Sequence, residues 1–315
     1  MKTQFIVHPN EISIDRINTL VKAGVTCLGI HSEGGETAYK SLAEMIELLK
    51  TEKIRSLLNY AKQQGLEIEY ELHAMGYLMP KNLFDTHPEY FRVDKNGNRN
   101  NDKNFCVSNK NALNIVCENA VKLALNLYGS NDNFYFWIDD GNDIFCHCEK
   151  CKKISASNQA LITINAMLNA IRKVKPKAKV AYLAYGDTLL LPTVKPNDGV
   201  FLEYAPFEKY VNKSENAEFY IKREFDMIEP LINYFGSKDA KVLEYWYDNS
   251  MYSKWKKPPA KFTLNETQLA KDISFYKQKG FNYISTFGCF LGQDYVDLYG
   301  DTNVTPLVSH SNYEK

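Results

Sequence analysis

The sequence has no excess charge of either sign, since its 38 Lys and Arg residues equal its 38 Asp and Glu residues. Without a basic field the chain has no general attraction to phosphate backbones or anionic lipids, and we expect no nucleic-acid partner. Long hydrophobic runs are also missing, because the longest, such as residues 180–185, are far shorter than the roughly 20 residues of a membrane helix. We therefore expect no membrane partner.

A signal peptide and an interdomain linker are missing as well. Residues 1–9 contain neither an apolar core nor a small-residue cleavage site, which predicts a cytoplasmic protein, or a secreted one if a leader has been removed. No stretch is rich in Pro, Gly and Ser, so we expect residues 1–315 to form one domain. A content of 44% hydrophobic and 24% charged residues excludes a disordered or coiled-coil chain.

The sequence does contain a regular alternation of short apolar runs and amphipathic stretches, which is typical of repeated βα units around a parallel sheet. The predicted strands cover residues 5–8, 27–31, 68–73, 134–139, 180–185, 200–204, 242–247 and 283–287. Helical stretches separate them, except between the fifth and sixth strands. Eight such units predict an α/β protein, a single (β/α)₈ TIM barrel with long loops after strands three and four.

Polar side chains stand at the ends of most predicted strands, where the loops of such a barrel form one rim and carry its chemistry. In chain order they are His8, His31, Glu71, His73, Asp139, Asp140, Tyr185, Glu203, Tyr204, Glu244, Trp246 and Asp248. A single polar residue at a strand end is usually a capping group. So many of them together predict an active-site rim.

The fourth predicted strand is apolar along its length and ends in the adjacent carboxylates Asp139 and Asp140. A strand this apolar is buried on both faces, so carboxylates at its end need a partner, a substrate or solvent. Successive strand residues point to opposite faces, so only one of the two is expected to reach the rim. The sequence leaves open which of them is the general acid.

The seventh predicted strand places Glu244 and Trp246 on one face by its period of two. A carboxylate beside an indole ring is typical of a sugar subsite, where the ring stacks on the pyranose. Strands four and seven are expected across the barrel from one another, which makes Glu244 the predicted nucleophile or base. A separation of about 5 Å between two such carboxylates gives retention, and about 6.5–9.5 Å gives inversion.

Four of the seven cysteines are close together in the predicted fold. Cys146, Cys148 and Cys151 follow the fourth strand, and Cys106 ends the loop after the third. Four thiolates on neighbouring loops suit a closed tetrahedral zinc site that would pin both loops without joining the chemistry. An Fe–S cluster, disulfides and free thiols are alternatives, and His147 is an alternative fourth ligand.

The turn at residues 139–141 and the Cys-x-Cys-x₂-Cys motif at 146–151 belong to a longer series of recognisable segments. The others are residues 71–78, 87–92, 97–99, 104–109, 183–185 and 203–206. Together they resemble the DUF4838 family, uncharacterised barrel proteins related to glycoside hydrolases of the α-glucuronidase and β-hexosaminidase types. The resemblance implies a glycan-directed barrel whose general acid is Asp139 or Asp140. Hexosaminidases have Asp-Glu at that position, so this chain departs from their pattern.

The long segment at residues 75–105 is predicted to form a lid or wall, because loops longer than about 15 residues are usually functional. It carries Arg92 and Arg99, either of which would hold a carboxylated sugar through two parallel hydrogen bonds. A solvated loop arginine is the alternative.

These observations lead to three hypotheses. The leading one is a glycoside hydrolase that acts on an oligo- or polysaccharide, uses the strand-four acid with Glu244, and needs no cofactor for catalysis. The other rim residues would orient the sugar or stack on it. The alternative is a non-catalytic carbohydrate-binding barrel. A third is a metal-dependent enzyme with His8, His31 and His73 around a catalytic ion.

Overall fold

A computed structural model describes residues 1–211 and 214–312. Its strands are β1 Lys2–Val7, β2 Cys27–Ile30, β3 Glu67–His73, β4 Arg92–Val93, β5 Arg99–Asn100, β6 Asn133–Trp137, β7 Lys179–Ala184, β8 Val200–Tyr204, β9 Lys241–Glu244 and β10 Tyr283–Phe287. Eight of them form a closed barrel in the order β1-β10-β9-β8-β7-β6-β3-β2, while β4 and β5 form a separate antiparallel hairpin. The predicted TIM barrel is confirmed, and so is the order of its strands along the chain.

Thirteen α-helices lie within the described ranges. They are α1 Ile14–Ala23, α2 Ala38–Leu48, α3 Glu52–Gln63, α4 Met75–Leu78, α5 Lys110–Asn126, α6 Ala156–Ile171, α7 Glu208–Val211, α8 Ala217–Asp226, α9 Ile228–Phe235, α10 Asn249–Tyr252, α11 Glu266–Gln278, α12 Gln293–Tyr299 and α13 Thr305–Asn312. Between β7 and β8 the described chain has only a short 3₁₀ turn at Gly186–Thr188, as predicted. None of the described helices combines the length and apolar character of a membrane span.

The chain divides into two compact units. Unit 1 contains Met1–His31, Lys50–Glu69 and Glu203–Lys315, and unit 2 contains Ser32–Leu49 and Tyr70–Leu202. We describe each unit by itself. The single domain expected over residues 1–315 stays a prediction.

In unit 1, one contact fixes which strand face points into the barrel. The Tyr283 hydroxyl of β10 donates a 2.7 Å hydrogen bond to Glu69 of β3. These strands are not neighbours in the sheet, because β1 and β2 separate them, so the contact crosses the interior. Lys241 of β9 is in register with Tyr283 and therefore shares this inner face. The neighbouring position on each strand points to the helices.

In unit 2, the segment between β3 and α5 contains ordered elements. It holds the short helix α4, two 3₁₀ turns and the β4–β5 hairpin. Inside the hairpin, Asp94 accepts hydrogen bonds from the N–H groups of Asn96 and Asn98, which closes the turn at Gly97. Gly97 has a φ of 85°, a conformation that glycine adopts without strain. The long predicted loop is thus largely structured.

Candidate functional site

The two carboxylates after β6 have different surroundings in unit 2. Asp139 is buried, and its carboxylate accepts hydrogen bonds from the N–H groups of Asn104, at 2.5 Å, and Gly76, at 3.3 Å. The Asp139 N–H in turn donates to the Asn104 side chain at 3.0 Å. Asp139 therefore ties the loop after β6 to the segment after β3.

Asp140 is half-buried and has a side-chain partner. Its carboxylate accepts a 2.8 Å hydrogen bond from the hydroxyl of Tyr185, which follows β7 and is also half-buried. A partly exposed carboxylate held by one phenol can still contact a ligand. Of the two adjacent acids, Asp140 is the one that is partly exposed.

His73, at the end of β3, lies close to the same strand. Its Nδ1 hydrogen bonds to the carbonyl of Ile138 at 2.9 Å, and its ring packs edge-on against Trp137 with 5.1 Å between centroids. His73 is half-buried, whereas Glu71, two residues earlier, is fully buried in register with Tyr135. Of the two, only His73 has the accessibility that contact with a ligand needs.

Glu244 in unit 1 does not occupy the accessible position that the sequence predicts. It is fully buried, and its carboxylate accepts hydrogen bonds from Lys209 at 2.5 Å, from Tyr210 at 2.6 Å and from Tyr276 of α11. Burial raises the pKa of Glu244, and Lys209 opposes this shift. Such a carboxylate, facing a helix and enclosed by three donors, fits an internal ion-pair role better than that of nucleophile or base.

Trp246 follows the same pattern. Its indole N–H donates a 2.9 Å hydrogen bond to Asp272 of α11, and the ring is buried. In β9, Lys241 faces the interior, so Leu243 and then Tyr245 continue the inner side, while Glu244 lies on the helix side. The sequence prediction had placed Glu244 and Trp246 on the side that faces the interior.

The residue that the sequence reasoning missed in unit 1 is Tyr245. It is half-buried, and its ring stacks on Phe287 with 5.4 Å between centroids and lies 5.0 Å from the ring of Phe207. The Phe287 ring also packs edge-on against His31 at 5.1 Å. The signal that could have found Tyr245 is the alternation itself, counted from the charged Lys241.

Two predicted contact residues of β8 are enclosed. Glu203 forms a 3.2 Å ion pair with Lys241, and both side chains are fully buried. Tyr204 is fully buried in register with Val242, and its hydroxyl is among the described groups without a hydrogen-bond partner. Burial raises the pKa of Tyr204. Neither side chain is exposed for contact with a sugar.

The remaining predicted residues of unit 1 are also buried. His8 hydrogen bonds through Nδ1 to the carbonyl of His31 at 3.0 Å, and the two rings lie 5.9 Å apart. Asp248 accepts a 3.0 Å hydrogen bond from the N–H of Ser250 and thereby caps α10, and burial raises its pKa. Asp248 is thus a helix cap in this structure.

Arg92 and Arg99 hold the segment in which they lie. Arg92 is buried and donates from Nε and Nη2 to both carboxylate oxygens of Asp102. Arg99 donates to the carbonyls of Glu89 and Phe91, at 3.3 and 2.6 Å. The paired donors of Arg92, which were predicted to hold a carboxylated sugar, are already engaged by a protein carboxylate.

The four cysteines of the predicted metal site come together in unit 2. The sulfur atoms of Cys106, Cys146, Cys148 and Cys151 all lie within 4.8 Å of one another. Three of these residues are buried and Cys148 is half-buried. Hydrogen bonds from Cys106 and Cys146, and from the nearby Ser108, lower the pKa of the Cys151 thiol. This cluster is the one group of potential metal ligands found among the described residues.

The sequence also suggested two other metal sites, one with His147 as the fourth ligand and one with three histidines. His147 is not a member of the ligand group, and its Nε2 hydrogen bonds to Asp143 at 2.8 Å. The histidines His8, His31 and His73 do not form a ligand group in the described part of the chain.

Comparison with solved structures finds the same TIM-barrel fold in several glycoside hydrolases. A β-N-acetylhexosaminidase from Bacteroides fragilis NCTC 9343 matches with a TM-score of 0.58 at 11% identity, over 100% of this chain and 67% of that chain. A β-galactosidase from the psychrophilic Marinomonas ef1 gives 0.57 at 10% identity, over 91% and 54%. Endo-glycoceramidase II from Rhodococcus sp. gives 0.53 at 8% identity, over 91% and 73%.

The chain belongs to the family described as "Domain of unknown function (DUF4838)", which matches residues 1–289. The resemblance inferred from its motifs is thereby confirmed. No curated protein matches the sequence. The chain spans about two thirds of the hexosaminidase and about half of the β-galactosidase, and at such low identity these likenesses establish the fold alone.

Proposed function

We propose that this protein is a glycoside hydrolase that acts on an oligo- or polysaccharide, with Asp140 as its general acid. The observation that carries the proposal is the half-buried Asp140 carboxylate after β6, held by the Tyr185 hydroxyl at 2.8 Å. A general acid must reach the leaving oxygen while its orientation is fixed, and one phenol hydrogen bond on a partly open carboxylate meets both conditions.

Asp139 has a supporting role in this proposal. Its two backbone hydrogen bonds, from Asn104 and Gly76, fix the chain immediately before Asp140. A carboxylate whose oxygens are already occupied is poorly suited to donate a proton to a sugar. We therefore assign Asp139 to positioning and Asp140 to proton transfer.

Aromatic rings at strand ends supply the apolar surface that a sugar ring needs. In unit 2, Trp137 and His73 pack together beside the strand that leads to Asp140. In unit 1, the half-buried Tyr245 stacks on Phe287. Trp137 and Phe287 are buried, so His73 and Tyr245 are the half-buried rings of these pairs that are accessible for a pyranose to stack on, and they support a carbohydrate as ligand.

The alternative function, a carbohydrate-binding barrel without catalysis, is favoured by one observation. Glu244, the predicted nucleophile or base, is fully buried and accepts hydrogen bonds from three side chains. A hydrolase of the usual type needs a second carboxylate at the anomeric carbon. If no other group serves, the barrel would bind glycans and leave them intact.

Product release from a panel of plant, microbial and host glycans tests both functions. We would compare the wild type with Asp140→Asn, Asp139→Asn and Glu244→Gln. The hydrolase proposal predicts sugar release by the wild type and its loss in Asp140→Asn, with the fold unchanged by circular dichroism. Binding of a glycan without release, unaffected by Asp140→Asn, would contradict the hydrolase and support the binding barrel.

A further inference from the structure

We propose that Cys106, Cys146, Cys148 and Cys151 bind one structural zinc ion in tetrahedral geometry. The inference does not depend on the proposed hydrolase activity, because none of its observations involves the Asp140 side chain or a sugar. It rests on the spacing of the sulfur atoms, on the groups that surround them and on the segments that the cysteines connect.

The spacing matches a single ion. Zinc–thiolate bonds are about 2.3 Å long, and two corners of a regular tetrahedron with that radius are about 3.8 Å apart. The Cys106 sulfur lies 3.7 Å from that of Cys148 and 3.8 Å from that of Cys151. These separations correspond to the edges of such a tetrahedron. No more than 4.8 Å separates any two of the four sulfurs.

The same distances argue against the other states of the cluster. A disulfide bond is about 2.05 Å long, far shorter than 3.7 Å, and all four cysteines are free. An iron–sulfur cluster spreads its cysteines over several iron ions, which requires a wider set of sulfurs than one within 4.8 Å. Close contact between four unliganded thiols would add little to the stability of the fold, whereas one divalent cation stabilises four thiolates.

Groups around the sulfurs provide the outer contacts that metal-bound thiolates need. The N–H of Val93, in the β4–β5 hairpin, donates to the Cys146 sulfur at 3.4 Å. The Ser108 hydroxyl lies 3.0 Å from the Cys151 sulfur, within reach of a hydrogen bond. Donors of this kind orient the ligands and spread the excess negative charge of a zinc with four thiolates.

One buried side chain shapes the cysteine loop. The Gln159 amide of α6 hydrogen bonds to both the N–H and the carbonyl of Cys146, at 3.2 and 3.0 Å. It also donates to the carbonyls of Cys151 and Ile154. The loop that carries three of the ligands is therefore held in shape by protein contacts that do not involve the ion.

The ion would join the two long segments of unit 2. Cys106 lies in the segment after β3, and the other three ligands lie in the loop after β6. The same two segments are joined a second time by Asn104 and Asp139. Zinc would thus fix the loop on which Asp140 stands without taking part in the chemistry, as expected of a closed site with four protein ligands.

Metal analysis of the purified full-length protein tests the inference. We expect one zinc per chain by plasma mass spectrometry, and the release of that zinc when the four thiols are titrated with a mercurial reagent. Refolding with cobalt should give the thiolate charge-transfer and tetrahedral ligand-field bands of a Co(Cys)₄ site. Neither readout requires a substrate, so a failure here is distinguishable from a failure of the proposed hydrolase.

Single substitutions identify the ligands. Cys106→Ser and Cys148→Ser should lower the zinc content well below one per chain and weaken the cobalt charge-transfer band. The matched control is Cys117→Ser, because Cys117 lies on α5 outside the cluster, and it should keep one zinc. A wild-type protein that stays metal-free with zinc supplied would overturn the proposal, as would iron in place of zinc or full zinc content in both ligand variants.

Discussion

The Tyr185 hydroxyl donates a 2.8 Å hydrogen bond to the Asp140 carboxylate. This contact orients the carboxyl group, and a hydrogen bond to the negative charge that proton donation leaves on that group contributes about 1.5–3 kcal/mol. Tyr185→Phe should therefore reduce kcat/KM for a glycan substrate by about tenfold or more while the protein stays folded. Steady-state kinetics of the two proteins would measure the effect.

A matched control for this variant is available on the preceding strand. Tyr182 of β7 is fully buried and donates its hydroxyl to the carbonyl of Thr188 at 2.9 Å, with no carboxylate involved. Tyr182→Phe removes an equivalent hydroxyl, so it should affect stability and leave kcat/KM near the wild-type value. Equal losses of kcat/KM in the two variants would show that Tyr185 acts only through the fold.

The buried ion pair between Glu244 and Lys209 leads to a prediction about stability. Glu244 is fully buried, and its removal leaves Lys209 paired with Asp272 alone, 2.8 Å away, at a cost of up to about 3–5 kcal/mol. Glu244→Gln should lower the free energy of unfolding in urea by an amount of this order. The exposed pair Glu229 and Lys279, 3.6 Å apart, serves as the control, because Glu229→Gln should change stability by less than about 1 kcal/mol.

The same variant tests the role that the sequence suggested for Glu244. If Glu244 stabilises the fold, the Glu244→Gln protein that remains folded should still release sugar. Complete loss of release with unchanged stability would instead restore Glu244 as nucleophile or base.

A second buried acid should make stability depend on pH. Burial raises the pKa of Glu224 to about 8 from an ordinary value of 4.5, although its carboxylate accepts hydrogen bonds from the N–H groups of Phe207 and Glu208. The folded protein therefore holds this proton over a pH range in which the unfolded chain has lost it. The stabilisation is full below pH 4.5 and is lost as the pH rises through about 8.

Urea unfolding at several pH values between 5 and 9 would measure this loss. Glu244 and Asp248 also have a raised pKa, so they contribute with the same sign. Glu224→Gln should accordingly reduce the fall in stability without abolishing it. An unchanged slope in Glu224→Gln would show that Glu224 ionises normally in the folded protein.

Gln159 connects the cysteine loop to α6, and its removal should weaken the contact between them. Gln159→Ala leaves buried backbone groups of Cys146 and Cys151 without a partner, and each unsatisfied group costs about 1–3 kcal/mol. We expect lower stability and faster loss of bound metal to a chelator. Gln293→Ala, on the exposed surface of α12, is the control and should change stability by about 0.5 kcal/mol or less. Equal rates of metal loss from Gln159→Ala and the wild type would contradict this role.

The strand order could be predicted from the sequence because each barrel strand is a short apolar run between helices. Glycines helped to mark where helices end, and Gly24, after α1, adopts the expected left-handed conformation with a φ of 84°. The cysteine cluster was also predictable, since adjacent βα loops bring distant residues together. In both cases the information lies in local patterns and in the topology.

The phase of β9 could not be predicted in the same way. Its residues are buried on both faces, so the apolar pattern does not distinguish the interior from the helix side. The barrel interior here contains the ion pair of Lys241 with Glu203, which places Glu244 on the helix side. The sequence prediction assumed that the carboxylate of β9 is functional, and it therefore assigned Glu244 and Trp246 to the inner face. Tyr245, which lies on the inner face, was missed for the same reason.

The accessibility of the other polar residues was equally hidden from the sequence. Asp139 and Asp140 are adjacent and chemically identical, and they differ in the structure by their burial and by the hydrogen bonds that they accept. The sequence does not reveal that Arg92 is paired with Asp102, ten residues later, and is therefore not available to bind a carboxylated sugar. Such pairings depend on loop conformation, which periodicity does not encode.

The most direct measurement of the role of Asp140 compares the wild type and Asp140→Asn on two glycosides of one sugar that the wild type cleaves. One carries an acidic phenol as leaving group, and the other carries a weakly acidic alcohol. A leaving group that departs unprotonated needs no general acid, so Asp140→Asn should cleave the first glycoside near the wild-type rate and lose about 10²–10⁴-fold on the second. Equal rates for Asp140→Asn and the wild type on both glycosides would contradict Asp140 as the general acid.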